Sequence, residues 1–326
     1  MPKIDSIFSI HSKDAFNRMA LEIFRFQYKN NPVYRQYVNY LSCDVGKVEH
    51  YLQIPFLPID FFKSHDIVCE GKIPALTFTS SGTTGMTFSR HPVADLSVYE
   101  KSFVKGFELF FGPISNYVVL ALLPSYLERE GSSLIYMAEK LIGTSAFDDS
   151  GFYLNEYRQL RDVLLKLKSE KKKTILLGVT YALLDLAEQF PVDFPELVVM
   201  ETGGMKGRRK EMVRQELHAV LMSAFGVKKI YSEYGMTELL SQAYSKGDGL
   251  FATPPWMKVL IRDTNDPFAY LPENRTGGVN VIDLANIYSC SFIETKDLGK
   301  IHPGGDFEIL GRFDNSDVRG CNLLVE

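Results

Sequence analysis

Residues 79–85 bring hydroxyl side chains and glycines together in one short stretch, here called the hydroxyl loop, directly after the apolar residues 76–78. In order, the loop contains Thr79, Ser80, Ser81, Gly82, Thr83, Thr84 and Gly85. Glycines let the backbone approach a phosphate with its amides pointing inward, and hydroxyl groups add neutral donors. The loop is not a Walker A motif, because no Lys-Ser or Lys-Thr pair follows Gly85. Taken alone, it is either a phosphate-binding loop or a polar turn between strands.

A second polar stretch follows a predicted strand and reads Tyr-Gly-Met-Thr-Glu over residues 234–238. Open α/β sheets hold ligands at the ends of such strands. The ring of Tyr234, which precedes Gly235, can stack on a flat base, and Thr237 can bond a phosphate oxygen. Glu238 can hold magnesium, which commonly takes one or two carboxylates together with substrate phosphates. The alternative is a helix start, with Glu238 in the first turn facing the helix dipole.

The third stretch places an acidic and a basic side chain near the end of the sequence. Asp297 lies in Glu-Thr-Lys-Asp-Leu-Gly, and Arg312 lies in Gly-Arg-Phe-Asp at residues 311–314. An isolated Asp at a strand edge can accept hydrogen bonds from two ribose hydroxyls. Arg312 can offer a rigid fork of donors to ribose or phosphate oxygens. The alternative is a pair of hairpins joined by a surface ion pair.

Bulk composition limits the class of protein. The chain has 326 residues and is 45% hydrophobic, which suits one large domain or one large and one small domain. A net charge of −4 argues against a nucleic-acid partner. The polar start lacks a signal peptide, and no apolar run approaches the ~20 residues of a membrane span, so we expect a cytoplasmic protein. The four cysteines are scattered without a CxxC pair, which argues against zinc and disulfides.

Apolar periodicity predicts helices at residues 14–28 and 33–41, followed from about residue 118 by alternating strands and helices. The predicted strands of the alternating part are residues 118–123, 175–179, 197–201 and 228–232. The predicted helices there are residues 132–142, 155–170, 181–189 and 208–225. This alternation indicates a largely parallel sheet covered on both faces. After residue 250 only short strands are predicted, at residues 258–262, 278–284, 298–302 and 307–310.

The order of the three polar stretches resembles the adenylate-forming superfamily, which includes acyl- and aryl-CoA ligases, luciferases and peptide-synthetase adenylation domains. The resemblance runs from about residue 77 to the end of the sequence. It implies ATP and Mg²⁺ as cofactors, a base stacked on Tyr234 and a ribose held by Asp297. It also implies Glu238 as the metal ligand and a Gly-rich turn that lines the adenine and acyl pocket. The residues of that turn are Gly203, Gly204 and Met205.

Within the superfamily the chain is most similar to the LuxE-like acyl-protein synthetases, whose relatives include phenylacetate-CoA ligases. The supporting stretches are residues 54–58, 62–64 and 317–321. LuxE-like enzymes transfer the activated acyl group to a cysteine near their own C-terminus and then to an acyl reductase. The resemblance therefore implies Cys321 as the nucleophile, a fatty or aromatic carboxylic acid as the substrate and a LuxC-like reductase as a partner.

Three functions stay open at this point. The first is an acyl-protein synthetase that uses Cys321, with Thr237, Glu238 and Arg312 assisting adenylation. The second is a ligase or acyltransferase whose thiol acceptor is CoA or an acyl carrier protein. The third, of another class, is a catalytically weakened nucleotide-binding or scaffold protein.

Together, these observations predict an α/β fold. Residues 1–75 form a helical and aromatic arm, and residues 76–250 form an α/β region that binds nucleotide and acyl group. Residues 251–326 form a smaller β-rich subdomain. Larger superfamily members continue into a mobile C-terminal domain with an adenylation lysine, and we expect that domain to be absent here.

Overall fold

The computed structural model describes residues 2–80, 88–124, 131–203, 209 and 212–313. Within them the helices are α1 (Ile4–Ile7), α2 (Lys13–Asn30), α3 (Pro32–Tyr40), α4 (Phe61–Ser64), α5 (Leu96–Phe111), α6 (Ser133–Thr144), α7 (Tyr157–Ser169), α8 (Thr180–Gln189) and α9 (Arg214–Phe225). None of these helices is long and apolar enough to cross a membrane.

The strands in the same residues are short and all but two join one sheet. They are β1 (Leu57–Pro58), β2 (Leu76–Thr79), β3 (Arg90–Val93), β4 (Val118–Leu122), β5 (Gly151–Tyr153), β6 (Thr174–Val179), β7 (Val198–Thr202), β8 (Tyr231–Tyr234), β9 (Ala243–Ser245), β10 (Phe251–Ala252), β11 (Met257–Arg262), β12 (Gly277–Asp283), β13 (Phe292–Ile301) and β14 (Phe307–Arg312).

The main sheet has twelve strands and changes character at β8. From β5 through β4, β6 and β7 to β8, neighbouring strands are parallel. From β8 through β9, β10, β14, β13 and β12 to β11, they are antiparallel. Strand β1 adds to β13 in parallel, while β2 and β3 form a separate hairpin. The α/β fold is therefore confirmed, and its sheet is mixed.

Burial explains why the parallel half reads as continuous apolar runs. Every residue of β4 and of β6 is buried, as expected for strands covered by helices on both faces. Helices α5 and α6 pack on one face, through Phe107, Met137 and Leu141 among others. Helices α8 and α9 pack together on the other face.

The N-terminal helices dock on the turn between β12 and β13. The side-chain amide of Gln27, which is fully buried, donates to the carbonyls of Asn286 (2.9 Å) and Ile287 (3.0 Å). The amide of Asn31 donates to the carbonyl of Ser289 at 3.0 Å. The ring of Phe24 packs edge-on against Phe292, with 6.2 Å between ring centres. The predicted helical arm thus braces a turn that, as shown below, contacts the site.

Two predicted boundaries are wrong for identifiable reasons. Helix α9 begins at Arg214, because Val213 has an extended backbone and caps the helix instead of continuing it. Val213 is consequently 59% exposed, not inward-facing as the periodicity suggested. Strand β13 begins at Phe292, so Asp297 lies inside a strand and is buried, not at a strand edge.

Asp283, the last residue of β12, holds the backbone that follows Glu238. Its Oδ2 accepts hydrogen bonds from the amides of Leu240 (2.7 Å) and Ser241 (2.9 Å). Its Oδ1 accepts from the amide of Ala285 at 3.1 Å and from the Ser241 hydroxyl. A fully buried carboxylate with four donors fixes this segment to the sheet.

We expect Asp283→Asn to lower the free energy of unfolding by about 3 kcal/mol. The asparagine side chain is uncharged, and its N–H hydrogens would face the N–H and O–H groups that donate to Asp283. Urea unfolding followed by circular dichroism measures the change. The matched control is Asp306→Asn, on the exposed turn between β13 and β14. A loss for Asp283→Asn no larger than that of the control would show that these bonds do not stabilise the fold.

Candidate active site

The neck of the hydroxyl loop is closed by two hydrogen bonds. Strands β2 and β3 pair as a hairpin, and beyond them the amide of Ser80 donates to the carbonyl of Ser89 at 3.1 Å. The amide of Ser89 donates to the Ser80 hydroxyl at 2.9 Å. Thr79, at the end of β2, donates its amide to the carbonyl of Gly131 at 2.8 Å. The rest of the predicted loop, Ser81, Gly82, Thr83, Thr84 and Gly85, lies outside the described residues.

Glu238 lies at this neck. Its carboxyl group is 5% exposed and is hydrogen-bonded by the side chain of Ser89. Burial raises the pKa of Glu238, while the bond from Ser89 and the positive charge of Arg312 act in the opposite direction. Residues 235–240 form a turn and no helix starts there, so the helix-start interpretation of this stretch is wrong.

A buried histidine and an asparagine hold the backbone of the Thr237–Glu238 peptide. His91 of β3 is fully buried, with Nδ1 2.8 Å from the carbonyl of Thr237 and Nε2 3.0 Å from Oδ1 of Asn286. The amide of Asn286 donates to the carbonyl of Glu238 at 2.8 Å. Burial lowers the pKa of His91 to about 4. These contacts tie the loop hairpin, the turn after β8 and the turn braced by Gln27 to one another.

Asp297 and Arg312 face each other across β13 and β14, and Tyr234 joins them. The Nε of Arg312 donates to Oδ1 of Asp297 at 2.9 Å, and the hydroxyl of Tyr234 donates to Oδ2 at 2.8 Å. Burial, with the charge of Asp297, raises the pKa of Tyr234 well above its usual value. The Tyr234 ring packs edge-on against Phe251 and Phe307. Asp297 is 5% exposed, and each carboxylate oxygen keeps a second lone pair for another donor.

The three predicted stretches therefore meet. Glu238 contacts the hairpin through Ser89, and the charges of Arg312 and Asp297 both act on its carboxyl group. The resulting site has a buried carboxylate at a loop neck, a guanidinium and a second carboxylate with free acceptor capacity. Such a set can hold a metal–phosphate group on one side and a pair of hydroxyls on the other.

The other predicted residues are partly described. Gly203 follows β7 with a left-handed backbone (φ 67°), and its carbonyl accepts a hydrogen bond from the Thr180 hydroxyl at 3.1 Å. Gly204, Met205 and Cys321 lie outside the described residues. Of the remaining cysteines, Cys69 and Cys290 are buried, and Cys43 is half-buried. The cation nearest the loop in sequence, Arg90, pairs with Asp66 at 3.3 Å.

Magnesium fits this donor set only if the phosphates of a bound nucleotide supply part of its coordination. In the described part of the chain, no group of three or more His, Cys, Asp and Glu side chains could hold a metal ion by itself. A single carboxylate, Glu238, is what magnesium needs when nucleotide phosphates supply further oxygens.

Solved structures share this architecture. An open form of 2-hydroxyisobutyryl-CoA ligase, in complex with 2-HIB-AMP and CoA, matches with a TM-score of 0.67 and 13% identity, over 93% of this chain and 70% of that chain. ATP-bound MatB from Rhodopseudomonas palustris matches with a TM-score of 0.56 and 17% identity, over 72% of this chain and 47% of that chain. The chain has the fold of adenylate-forming acyl-CoA ligases.

The matches are structural, and they differ in extent. The chain spans about half the length of MatB. It covers 73% of 2-hydroxyisobutyryl-CoA ligase in its thioesterification state, with a TM-score of 0.64 and 15% identity. No protein-family model matches the sequence, and no curated protein matches it by sequence.

Sequence reasoning missed several residues of the site. Ser89, His91 and Asn286 bind the Glu238 segment from distant parts of the chain, and no local pattern marks them. Glu233 carried a usable signal, because an acidic residue is unusual within a buried strand. The predicted strand stopped at residue 232, whereas β8 continues through Glu233 to Tyr234.

Glu233 is nearly fully buried, and this burial raises its pKa to about 7. The hydrogen bond from Thr202 acts to lower the pKa, and the charge of Glu201 acts to raise it. The charged form of Glu233 is therefore disfavoured in the folded protein. The contribution of Glu233 to the free energy of unfolding should be retained below pH 4.5 and fall as the pH rises through 7. We expect Glu233→Gln to be more stable than wild type at pH 8, by up to about 3 kcal/mol, and to lose that advantage near pH 4.5.

Urea unfolding of both proteins across this pH range measures the difference. The exposed Glu216→Gln in α9 serves as the control and should track wild type at every pH. A Glu233→Gln advantage that does not change with pH would contradict the raised pKa.

Proposed function

We propose that this chain activates a carboxylic acid as an acyl adenylate with ATP and then passes the acyl group to a thiol. The observation that carries the proposal is the meeting of three distant stretches, where Glu238 lies at the neck of the hydroxyl loop and beside the Asp297–Arg312 pair. The ligase fold supports the same chemistry, since 2-hydroxyisobutyryl-CoA ligase binds 2-HIB-AMP.

In the first step, a carboxylate oxygen of the acid attacks the α-phosphorus of ATP. The bond from that phosphorus to the oxygen bridging the β-phosphate breaks, and pyrophosphate leaves. Glu238 would hold Mg²⁺ together with the phosphates, and an ion held there would offset the charge that gathers on pyrophosphate. Asp297, fixed by Tyr234 and Arg312, accepts hydrogen bonds from the ribose hydroxyls and keeps the α-phosphorus in line.

The His91–Asn286 pair serves this step by positioning. It holds the carbonyls of Thr237 and Glu238, so the Glu238 carboxylate needs no reorganisation when ATP binds. The resemblance to adenylate-forming enzymes assigns further phosphate donors to the hydroxyls of the loop and to the Thr237 side chain.

In the second step, a thiolate sulfur attacks the acyl carbon of the adenylate. The bond from that carbon to the phosphate oxygen breaks, so AMP leaves and a thioester forms. The LuxE-like resemblance assigns this thiol to Cys321, with a fatty or aromatic acid as substrate and a reductase as the later acceptor. The complex of 2-hydroxyisobutyryl-CoA ligase with CoA favours a second candidate, in which the thiol belongs to CoA.

Intact-protein mass spectrometry after incubation with ATP, Mg²⁺ and a panel of carboxylic acids tests the thiol. We expect wild type to gain the mass of one carboxylic acid minus one water, and neutral hydroxylamine to remove the acyl group. Cys321→Ser should gain nothing, and Cys43→Ser, at a half-buried cysteine, should behave as wild type. If no adduct forms and acyl-CoA appears when CoA is added, the acceptor is CoA. ATP binding without pyrophosphate release for any acid would instead favour a weakened nucleotide-binding protein.

A further inference from the structure

A small cavity of about 10 Å³ lies between helices α5 and α6 and the parallel half of the sheet. This is about the space that one water molecule, or one ammonium group, needs. Its lining is apolar except at one end, where the strands finish. The lining residues are Phe107, Ile114, Val119, Met137, Leu141, Ile175, Leu177, Met200, Glu233 and Tyr244.

The polar residues of the lining, Glu233 and Tyr244, belong to a row of three side chains across three strands, which Thr202 completes beside Glu233. Thr202 of β7 pairs in register with Glu233 of β8, and Glu233 pairs with Tyr244 of β9. Residues directly opposite in neighbouring strands present their side chains on the same face. All three therefore lie on the face covered by α5 and α6.

The row lacks a positive charge. The Thr202 hydroxyl donates to Oε2 of Glu233, and the described residues give that carboxyl group no ion pair. The Tyr244 hydroxyl is buried without a hydrogen-bond partner. Glu201 adds a second buried carboxyl group to the neighbourhood, where it accepts from Ser232 and Thr180 on the opposite face. Buried carboxylates are costly unless a cation pairs with them, so the row is incomplete as it stands.

The same carboxyl group touches the adenylation site. A Cβ built on Gly235 would lie 2.5 Å from Oε1 of Glu233, so this oxygen rests directly on the first residue of the turn to Glu238. An acid whose carboxylate meets the α-phosphate near this turn can extend its other end toward the cavity. Any larger side chain at position 235 would displace the Glu233 carboxyl group.

We propose that Thr202, Glu233 and Tyr244 select a short carboxylic acid that carries a protonated amine, whose ammonium group enters the cavity and pairs with Glu233. The inference rests on the proposed function, because it takes the acid to be the substrate. The Tyr244 hydroxyl accepts a second hydrogen bond from the ammonium group. This substrate class differs from the fatty or aromatic acid implied by the LuxE-like resemblance.

Acid-dependent exchange of labelled pyrophosphate into ATP tests the selection with matched pairs of acids. Glycine, β-alanine and 4-aminobutyrate are each compared with the twin that lacks the amine: acetate, propionate and butyrate. For the pair that fits the site, we expect wild type to favour the amine by at least about a hundredfold, as polar sites do when a buried partner is left unpaired. Glu233→Gln should reduce this preference by at least about tenfold, Tyr244→Phe by less, and Glu216→Gln should keep it.

A second arm works without turnover. Propylammonium chloride and propanol are titrated into wild type and Glu233→Gln by calorimetry, after circular dichroism has confirmed that both are folded. Binding of propylammonium to wild type but not to Glu233→Gln supports the inference even if no acid drives exchange. The absence of exchange would contradict only the proposed function. Equal exchange with both members of every pair, or no propylammonium binding to wild type, overturns the inference while leaving acyl-adenylate formation standing.

Discussion

Glu238→Gln is expected to lower acid-dependent pyrophosphate exchange by on the order of a hundredfold or more. The amide keeps the size of the side chain and its hydrogen bond from Ser89, but it removes the charge that would hold magnesium beside the nucleotide phosphates. The loss should be partly recovered at high Mg²⁺ concentration, because the metal would then bind through the phosphates alone. Exchange rates over a Mg²⁺ titration measure both effects.

The control for Glu238→Gln is Glu196→Gln, which removes a carboxylate from the surface. This control should match wild type at every Mg²⁺ concentration. Exchange by Glu238→Gln within about threefold of wild type, with an unchanged Mg²⁺ dependence, would remove Glu238 from the proposed chemistry.

Asp297→Asn is expected to lower kcat/KM for ATP by about a hundredfold, mainly through a higher KM. Asp297 carries the charge that Arg312 and Tyr234 both contact, and its free lone pairs are the acceptors assigned to the ribose. Asparagine keeps one carbonyl oxygen and replaces the other with a donor, which leaves either the Tyr234 hydroxyl or a ribose hydroxyl without an acceptor.

Initial rates of pyrophosphate exchange against ATP concentration measure this loss. Comparison with 2′-deoxy- and 3′-deoxy-ATP sharpens the test, because removing a hydroxyl that Asp297 binds should cost wild type more than it costs the variant. Asp306→Asn, on the exposed turn of the same hairpin, is the matched control. If Asp297→Asn discriminates against the deoxynucleotides as strongly as wild type does, Asp297 does not hold the ribose.

Local sequence patterns predicted four strands of the parallel half of the sheet, β4, β6, β7 and β8, but missed the short edge strand β5. Strands such as β4 and β6 are buried on both faces, so their residues form uninterrupted apolar runs that stand out from the helices between them. The predicted end of the helix at residue 225 is confirmed, since Gly226 ends α9 with a left-handed backbone. The polar stretches at Glu238 and Asp297 were also recognisable from their residue types and order, although Glu238 follows β8 whereas Asp297 lies within β13.

The parts that escaped prediction depend on contacts between distant residues. The pairing of β10 with β14 joins the two halves of the antiparallel region through a single residue pair, Phe251 with Phe307. The helix α5 was not predicted, although Asp95 caps it by accepting from the amide of Ser97. Its aromatic-rich surface packs against the sheet on one side and the loop hairpin on the other, which blurs the periodicity of a single apolar face.

Burial of charge was the least predictable feature of the site. Glu233 came just after the predicted strand at residues 228–232, so its burial under α5, where Thr202 bonds its carboxyl group, did not follow from the predicted elements. His91 is similarly hidden, with its ring nitrogens at hydrogen-bond distance from the carbonyl of Thr237 and from Oδ1 of Asn286. In both cases a hydrogen bond with a residue far along the chain offsets the cost of burying the polar side chain.

The most direct test of the account follows an oxygen atom. A carboxylic acid labelled with ¹⁸O on its carboxylate is incubated with the protein, ATP, Mg²⁺ and CoA, and the nucleotide product is weighed by mass spectrometry. Attack of the carboxylate on the α-phosphorus predicts that AMP carries one ¹⁸O atom, because the carbon–oxygen bond breaks in the second step. Unlabelled AMP, or ADP as the product with ¹⁸O in phosphate, would contradict an acyl adenylate as the intermediate.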